Sequence, residues 1–321
     1  MQNEGWASSL DKVTPKDLMG KRRLPIPFQK YFFSFLWSAV ICSLVAVIVW
    51  QGAEVVAAKI EYKRGNDFYE DLANKLSLSG TASGLSETLY GDSQPMALPD
   101  YEAMKNGATV GDKTALTGAE KRELALYNAK LAVLKKQNPD TVGWIYIPGT
   151  NIDYPIVMPP KSDPDFYMNH AFSGAEYSQG AIFIESICNP SILQNKNTII
   201  VGHNIRLQGM MFNQLAKFGE KEFFDSHSEI YIYTEEGKFV FKLFSFYRAD
   251  YMYNFRQVRF LSDMDYLQYL AKMQGNSWFT REGVTFGAED RIITMYTCTN
   301  DNVKTNRYVA VAVLDSCLLN P

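Results

Sequence analysis

The chain runs to 321 residues, 46% hydrophobic and 21% charged, long enough for one well-packed domain of about 200 residues with appendages. A formal net charge of -3 gives no reason to expect nucleic acid as a partner. No two cysteines or histidines stand at metal-ligand spacing, so neither a structural metal nor a cofactor is expected.

Residues 31 to 50, YFFSFLWSAVICSLVAVIVW, form an uncharged apolar run of the length a helix needs to cross a bilayer core about 30 Å thick. Aromatic residues crowd its start and Trp50 marks its end, as interfacial anchors do. Cys42 lies inside the run, where a small apolar residue fits. Lys21, Arg22, Arg23 and Lys30 precede it, which assigns residues 1 to 30 to a cytoplasmic tail and everything after the span to the outside. A cleaved signal peptide is the rival reading, with VVAAK at 55 to 59 as the cleavage site; the apolar run exceeds the usual h-region of about 7 to 15 residues and favours an uncleaved anchor. Residues 51 to 116 then read as a helical stalk followed by a flexible linker rich in Ser, Gly, Thr and Ala.

A folded domain is expected over 117 to 321. It opens on a capping box, Thr117 with Glu120, ahead of a helix whose Leu124, Tyr127, Leu131 and Leu134 share one face and which stops before Pro139. The remainder is mainly β. TVGWIYIPG, IDYPIVM, GAIFIES, NTIIVGH, EIYIYT, KFVFKLFSFYRAD, RIITMYTC and RYVAVAVLD are strand-like runs separated by Gly, Pro, Asn and Asp, and point to a closed or nearly closed β-barrel. Pro148 and Gly149 turn the chain between Ile145, Ile147 and Ile152, which read as core. Two helical interruptions are expected: a short one, MMFNQLAKF, after His203, and SDMDYLQYLAKMQ at 262 to 274, with Ser262 and Asp263 as caps.

Cys298 ends the strand RIITMYTC beside a polar loop, where a thiol can meet solvent. A free thiol is only slightly ionised near neutrality and needs a base or a cation beside it to act as a nucleophile. His203 stands at the end of NTIIVGH much as Cys298 ends its own strand, whereas His170 lies in a loop-like stretch and His227 among charges. If the strands flanking TNDNVKTN pair antiparallel, Arg307 falls opposite Cys298, with Cβ atoms about 5 Å apart. Such a Cys-His-Arg group suits acyl transfer: the thiolate attacks a carbonyl, His203 protonates the leaving amine, and Arg307 steadies the developing oxyanion. Thr297 is a candidate for one more hydrogen bond to the substrate. Cys188 and Cys317 could pair outside the cell, though the sequence does not determine it.

TMYTC at 294 to 298 resembles the TLxTC signature of sortases, and VGHN with the downstream arginine is similar to the rest of their catalytic group. NPDTVGWIYIPGTNIDYPIV, FYMNHAFSG and the helix ahead of the cysteine strand are similar to the class B branch, over roughly 117 to 316. The resemblance implies an eight-stranded sortase-type β-barrel with an N-terminal helix and a helix between the sixth and seventh strands. It implies an extracytoplasmic cysteine transpeptidase of Gram-positive-type bacteria that cleaves a C-terminal sorting signal of secreted proteins through a thioacyl intermediate. The acyl group would pass to an amine of a peptidoglycan precursor such as lipid II. A pilin-polymerising enzyme with a lysine amine as acceptor is one alternative; a membrane-anchored peptide-binding barrel without catalysis is another. Thr299 and Asn300 follow Cys298 where some members carry an acidic residue, and the stretches 248 to 262 and 299 to 306 are expected to form the substrate groove.

Overall fold

The computed structural model describes residues 28–78, 117–206, 209–301 and 303–320. Two of the expected segments therefore lie outside the described residues, the tail up to position 27 and the linker from 79 to 116. The chain divides into two compact units after Ile60. In the first, helix α1 (Phe28–Leu78) contains a stretch, Phe35–Ala57, that is long and apolar enough to cross a membrane and has none of its surface buried. The part of α1 in the second unit carries Tyr69 and Leu72, both buried in the core of the folded domain, and the Tyr69 hydroxyl donates to the Gly180 carbonyl at 3.2 Å.

Helix α2 (Gly118–Gln137) begins as its capping box requires: the Glu120 amide donates to Thr117 Oγ1 at 3.2 Å and the Thr117 amide to Glu120 Oε2 at 2.7 Å. Its buried face is Leu124, Tyr127, Leu131 and Leu134, and it also carries Glu123, 2% exposed. That carboxylate is buried because it is paired, with Lys238 Nζ at 2.9 Å and the Tyr233 hydroxyl at 2.7 Å.

Eight strands close into a barrel: β1 (Thr141–Tyr146), β2 (Asp153–Val157), β3 (Ile182–Ile184), β4 (Asn197–Val201), β7 (Glu229–Thr234), β8 (Gly237–Asp250), β9 (Ile292–Cys298) and β10 (Asn306–Leu319), in the order β1-β2-β3-β4-β9-β10-β8-β7. The β2–β3 and β4–β9 pairs are parallel and the rest antiparallel. All eight correspond to the strand-like runs of the sequence. Ile145, Ile147 and Ile152 are fully buried around the turn at Pro148 and Gly149, where Gly149 takes a φ of 74°. Helix α3 (Asp263–Asn276) starts at Ser262, whose hydroxyl accepts from the Asp265 amide at 3.2 Å; it buries Tyr266, Tyr269, Leu270 and Met273 and precedes the cysteine strand.

Two expectations are corrected. The helix read at MMFNQLAKF begins as a strand instead: β6 (Met210–Met211) pairs with β5 (Asn204–Ile205), Met211 has a φ of 53°, and only Asn213–Gly219 is helical, with 3-10 geometry. A positive φ cannot continue a right-handed helix. The last strand also runs on to Leu319, which carries Cys317 into the core at 1% exposure. Cys188 and Cys317 are both buried and free, so they form no disulfide. The Ile199 amide approaches Cys188 Sγ at 3.4 Å, and burial pushes the thiol pKa of Cys188 up to about 12 and that of Cys317 to about 11.

Candidate active site

Pairing across the barrel decides what meets at its end. β4 and β9 are parallel with Val201 opposite Tyr296, so both chains leave the barrel at the same end, and His203 and Cys298 each lie two residues past that pair. β10 returns antiparallel from the loop after Cys298, and Arg307 is the register partner of Cys298. The three predicted residues thus come from the ends of adjacent strands and line one open cleft. Cys298 is exposed and free.

His203 is held from behind. Its Nε2 lies 2.7 Å from the Met168 carbonyl, and a carbonyl only accepts, so Nε2 carries the proton and Nδ1 is the nitrogen left to exchange one. Two close-packed glycines lie nearby, and Gly180 makes room for the ring. A Cβ on Gly202 would stand 2.4 Å from Ile182 Cδ1, and one on Gly180, which has a φ of +59°, would stand 2.4 Å from the Tyr167 carbonyl oxygen and 3.1 Å from His203 Cδ2. His170 and His227 lie elsewhere, each at the C-terminal cap of a short helix.

Arg307 donates from Nη1 to the Lys304 carbonyl at 2.7 Å and the Asn306 carbonyl at 2.9 Å, while its Cζ lies 4.8 Å from the centre of the Tyr251 ring. Thr297 lines the cleft and is 2% exposed, and its hydroxyl has no hydrogen-bond partner. Strand alternation sends that side chain to the opposite face from Cys298.

Several contributors were not singled out in the sequence. The Asn204 side-chain amide donates to the Cys298 carbonyl at 2.7 Å and to Asn300 Oδ1 at 2.9 Å, pinning the backbone just after the thiol. Asp301 accepts from Thr299 Oγ1 at 2.5 Å, Asn306 Nδ2 at 2.9 Å and Arg248 Nη1 at 3.1 Å, and these bonds lower its pKa to about 2. Glu185 and Arg256 also line the cleft as a two-pronged ion pair, with both contacts at 2.7 Å. Burial opposes the Arg256 charge, but the bonds from Glu185 outweigh it and the pKa is raised. Tyr251 and Arg256 fall within the stretch 248 to 262 expected to form the groove. The pairing of Arg256 with Glu185, some seventy residues away in sequence, left no local signal.

The folded domain is similar to known proteins. The sortase domain family model matches residues 145–315. A curated sortase B of Listeria monocytogenes is 33% identical over 169 residues, covering 53% of this chain and 67% of its own length. The sortase B of Staphylococcus aureus is 27% identical over 268 residues, 84% of this chain and 91% of that protein. Among solved structures, Clostridium perfringens sortase B aligns with a TM-score of 0.54 at 34% identity, over 57% of this chain and 98% of that one. A Staphylococcus aureus sortase B–substrate complex aligns with a TM-score of 0.54 at 29% identity, over 59% and 86%.

A closed eight-stranded barrel with a solvent-exposed cysteine at a strand end defines a cysteine transpeptidase fold, and the chain belongs to the sortase family. Within that family it is a class B sortase, and its N-terminal apolar helix fits a membrane anchor.

Proposed function

We propose that Cys298 is the nucleophile, His203 the general acid and base, and Arg307 the oxyanion donor of a transpeptidation on the C-terminal sorting signal of secreted proteins. The observation that carries this reading is the register: Arg307 opposite Cys298, and His203 level with Cys298 on the neighbouring parallel strand. Cys298 gives its proton to Nδ1 of His203, the thiolate sulfur bonds to the scissile carbonyl carbon, and the carbonyl electron pair moves onto oxygen beside the guanidinium. As the oxyanion collapses, the C–N bond breaks and the leaving amine takes a proton from His203, leaving a thioester. An incoming amine then attacks the thioester, gives its proton to His203 and releases Cys298 as thiolate. Thr297 is the candidate extra contact to substrate; its hydroxyl is buried on the face away from Cys298, so that contact requires the side chain to turn toward the cleft.

The acceptor is an amine of a peptidoglycan precursor, and pilin lysine is the alternative that the same site would serve. Residues 31–50 anchor the chain in the cytoplasmic membrane, with 1–30 inside and 51–321 outside, where Tyr69 and Leu72 of the expected stalk pack into the core of the catalytic domain; the cations at Lys21, Arg22, Arg23 and Lys30 support this orientation. Protease added to wall-stripped cells should remove the domain and spare the tail.

The test is to incubate the full chain in detergent with a pooled peptide library randomised around a central threonine, adding either triglycine or a lysine-bearing peptide. Mass spectrometry should find an acyl adduct on Cys298 and an amide product that grows with added amine. Cys298→Ala should abolish both, while Cys188→Ala and Cys317→Ala retain turnover. A product insensitive to amine would make the enzyme a hydrolytic peptidase; equal loss in all three cysteine variants would sink the assignment.

A further inference from the structure

The oxyanion donor proposed above begins a strand at a barrel rim, and its Nη1 is tied only to carbonyls of its own loop, Lys304 and Asn306. What lies under its flat face is Tyr251, with the guanidinium carbon 4.8 Å from the ring centre. Tyr251 grips the same loop through its backbone, its amide donating to the Thr305 carbonyl at 2.7 Å. Its hydroxyl, which would otherwise let the ring swing, accepts from Arg256 Nη1 at 2.6 Å.

Arg256 is in turn immobilised. Its Nε and Nη2 each meet a Glu185 oxygen at 2.7 Å, and the Tyr296 hydroxyl, two residues before Cys298, donates to Glu185 Oε1 at 2.6 Å. Glu185 is 6% exposed, so its carboxylate is a fixed point that ties the end of β3, the cysteine strand and the segment after β8 together. The pair also has an electrostatic task. The Arg256 guanidinium carbon lies 4.8 Å from the same Tyr251 ring, so two cations share one aromatic system. Glu185 neutralises Arg256, whereas Arg307 makes no ion pair among the described residues and meets the Asp250 carboxylate only at longer range.

We propose that Glu185, Arg256 and Tyr251 form a positioning relay for Arg307, in which the buried ion pair clamps the tyrosine hydroxyl and the clamped ring sets the place of the guanidinium beside Cys298. The inference rests on the reading of Arg307 as oxyanion donor. None of the three relay residues need touch the reacting atoms.

Turnover and a direct view of Arg307 test it separately. Full chain in detergent is assayed on the library peptide that the wild type cleaves fastest. Misplacing a group that meets the reacting carbonyl by about 1 Å costs about a hundredfold, so Tyr251→Leu and Arg256→Met should lower kcat by about ten- to a hundredfold with KM within about twofold. Tyr251→Phe, which keeps the ring and loses only its anchor, should cost less than Tyr251→Leu. In an Arg307→Ala background each of these changes should cost under about twofold more, because a residue that acts only through Arg307 has nothing left to position. A purely structural role would persist in that background, and such persistence overturns the proposal.

The second measurement uses arginine labelled with 13C and 15N. The Arg307 Nε–Hε signal, assigned by its loss in Arg307→Lys, should carry a ring-current shift that disappears in Tyr251→Leu and broadens in Glu185→Gln. An unmoved signal overturns the relay even if kcat falls. If Arg307→Ala turned over at a near wild-type rate, the oxyanion reading would fail, and the signal would still decide whether Tyr251 positions the guanidinium.

Discussion

The domain contains two carboxylates buried by the same device and used differently. Glu123 on α2 receives the Tyr233 hydroxyl and Lys238, and Glu185 beside β3 receives the Tyr296 hydroxyl and Arg256. The Lys238 side chain is 3% exposed and its pair is sealed between helix and barrel; the Arg256 side chain is 32% exposed and lines the cleft. A compact ammonium suits a closed pocket, whereas a guanidinium fork can hold one carboxylate and still reach a further acceptor, here the Tyr251 hydroxyl. Burial therefore fastens one region and aims another.

The sealed pair carries the largest expected change. Lys238→Met leaves Glu123 buried without its cation, which should cost about 3 to 5 kcal/mol of stability, while Lys238→Met combined with Glu123→Leu should recover most of it. Thermal and denaturant melts check this, and a single-variant loss below about 1 kcal/mol would show that Glu123 finds water or becomes protonated without penalty. Turnover well below the melting range should stay near wild type in both, because the pair lies away from the cleft.

At the cleft the order reverses: activity falls while the fold stands. Arg307→Ala should lower turnover by roughly two to three orders of magnitude, as loss of an oxyanion donor does, and Arg307→Lys should recover little because an ammonium lacks the planar fork. Alkylation of Cys298 by a small reagent needs no oxyanion and should change far less. Near wild-type turnover in the lysine variant would reduce Arg307 to a solvated strand-end charge.

Gly180→Ala sits between the two regimes. The φ of +59° and the 2.4 Å approach to the Tyr167 carbonyl predict a loss of about 1 to 3 kcal/mol, and the 2.8 Å approach to the Met168 carbonyl, which holds His203, adds a fall in kcat. A melting change without a kcat change would separate the His203 support from the backbone strain.

The smallest effect is one of pH. Asp301 has its folded pKa depressed to about 2, so the support it lends the loop after Cys298 is complete above the unfolded value of about 3.9 and fades as pH falls from there through about 2. Limited proteolysis of that loop should accelerate over this window in the wild type. Asp301→Asn should be cleaved faster at neutral pH and show a flatter profile.

Much of this was legible in local pattern. Strand-like runs between Gly, Pro, Asn and Asp marked all eight barrel strands, the capping box marked α2 and Ser262 marked α3, and a short polar loop between two runs was enough to set Arg307 against Cys298. The parallel neighbour was not legible, because His203 and Cys298 are joined by a register between strands far apart in sequence. Glu123, Glu185 and Arg256 gave no signal of their own, since nothing beside them in the chain names the partner that lets them be buried. Met210 and Met211 looked helical because apolar spacing says nothing about a residue at positive φ. Tyr69 and Leu72 read as stalk, though both are core.

The parallel pairing of β4 with β9 also sets when the enzyme becomes armed. The Cys298–Arg307 hairpin is local and can form early, but His203 joins it only after the whole intervening stretch, with β7, β8 and α3, has been looped out and the barrel sewn shut. On the proposed mechanism, a half-folded chain would lack the imidazole that completes the cycle. On refolding from denaturant, transpeptidation should return later than β-sheet signal, and a reactive acylating cysteine is withheld until there is a closed barrel to direct it.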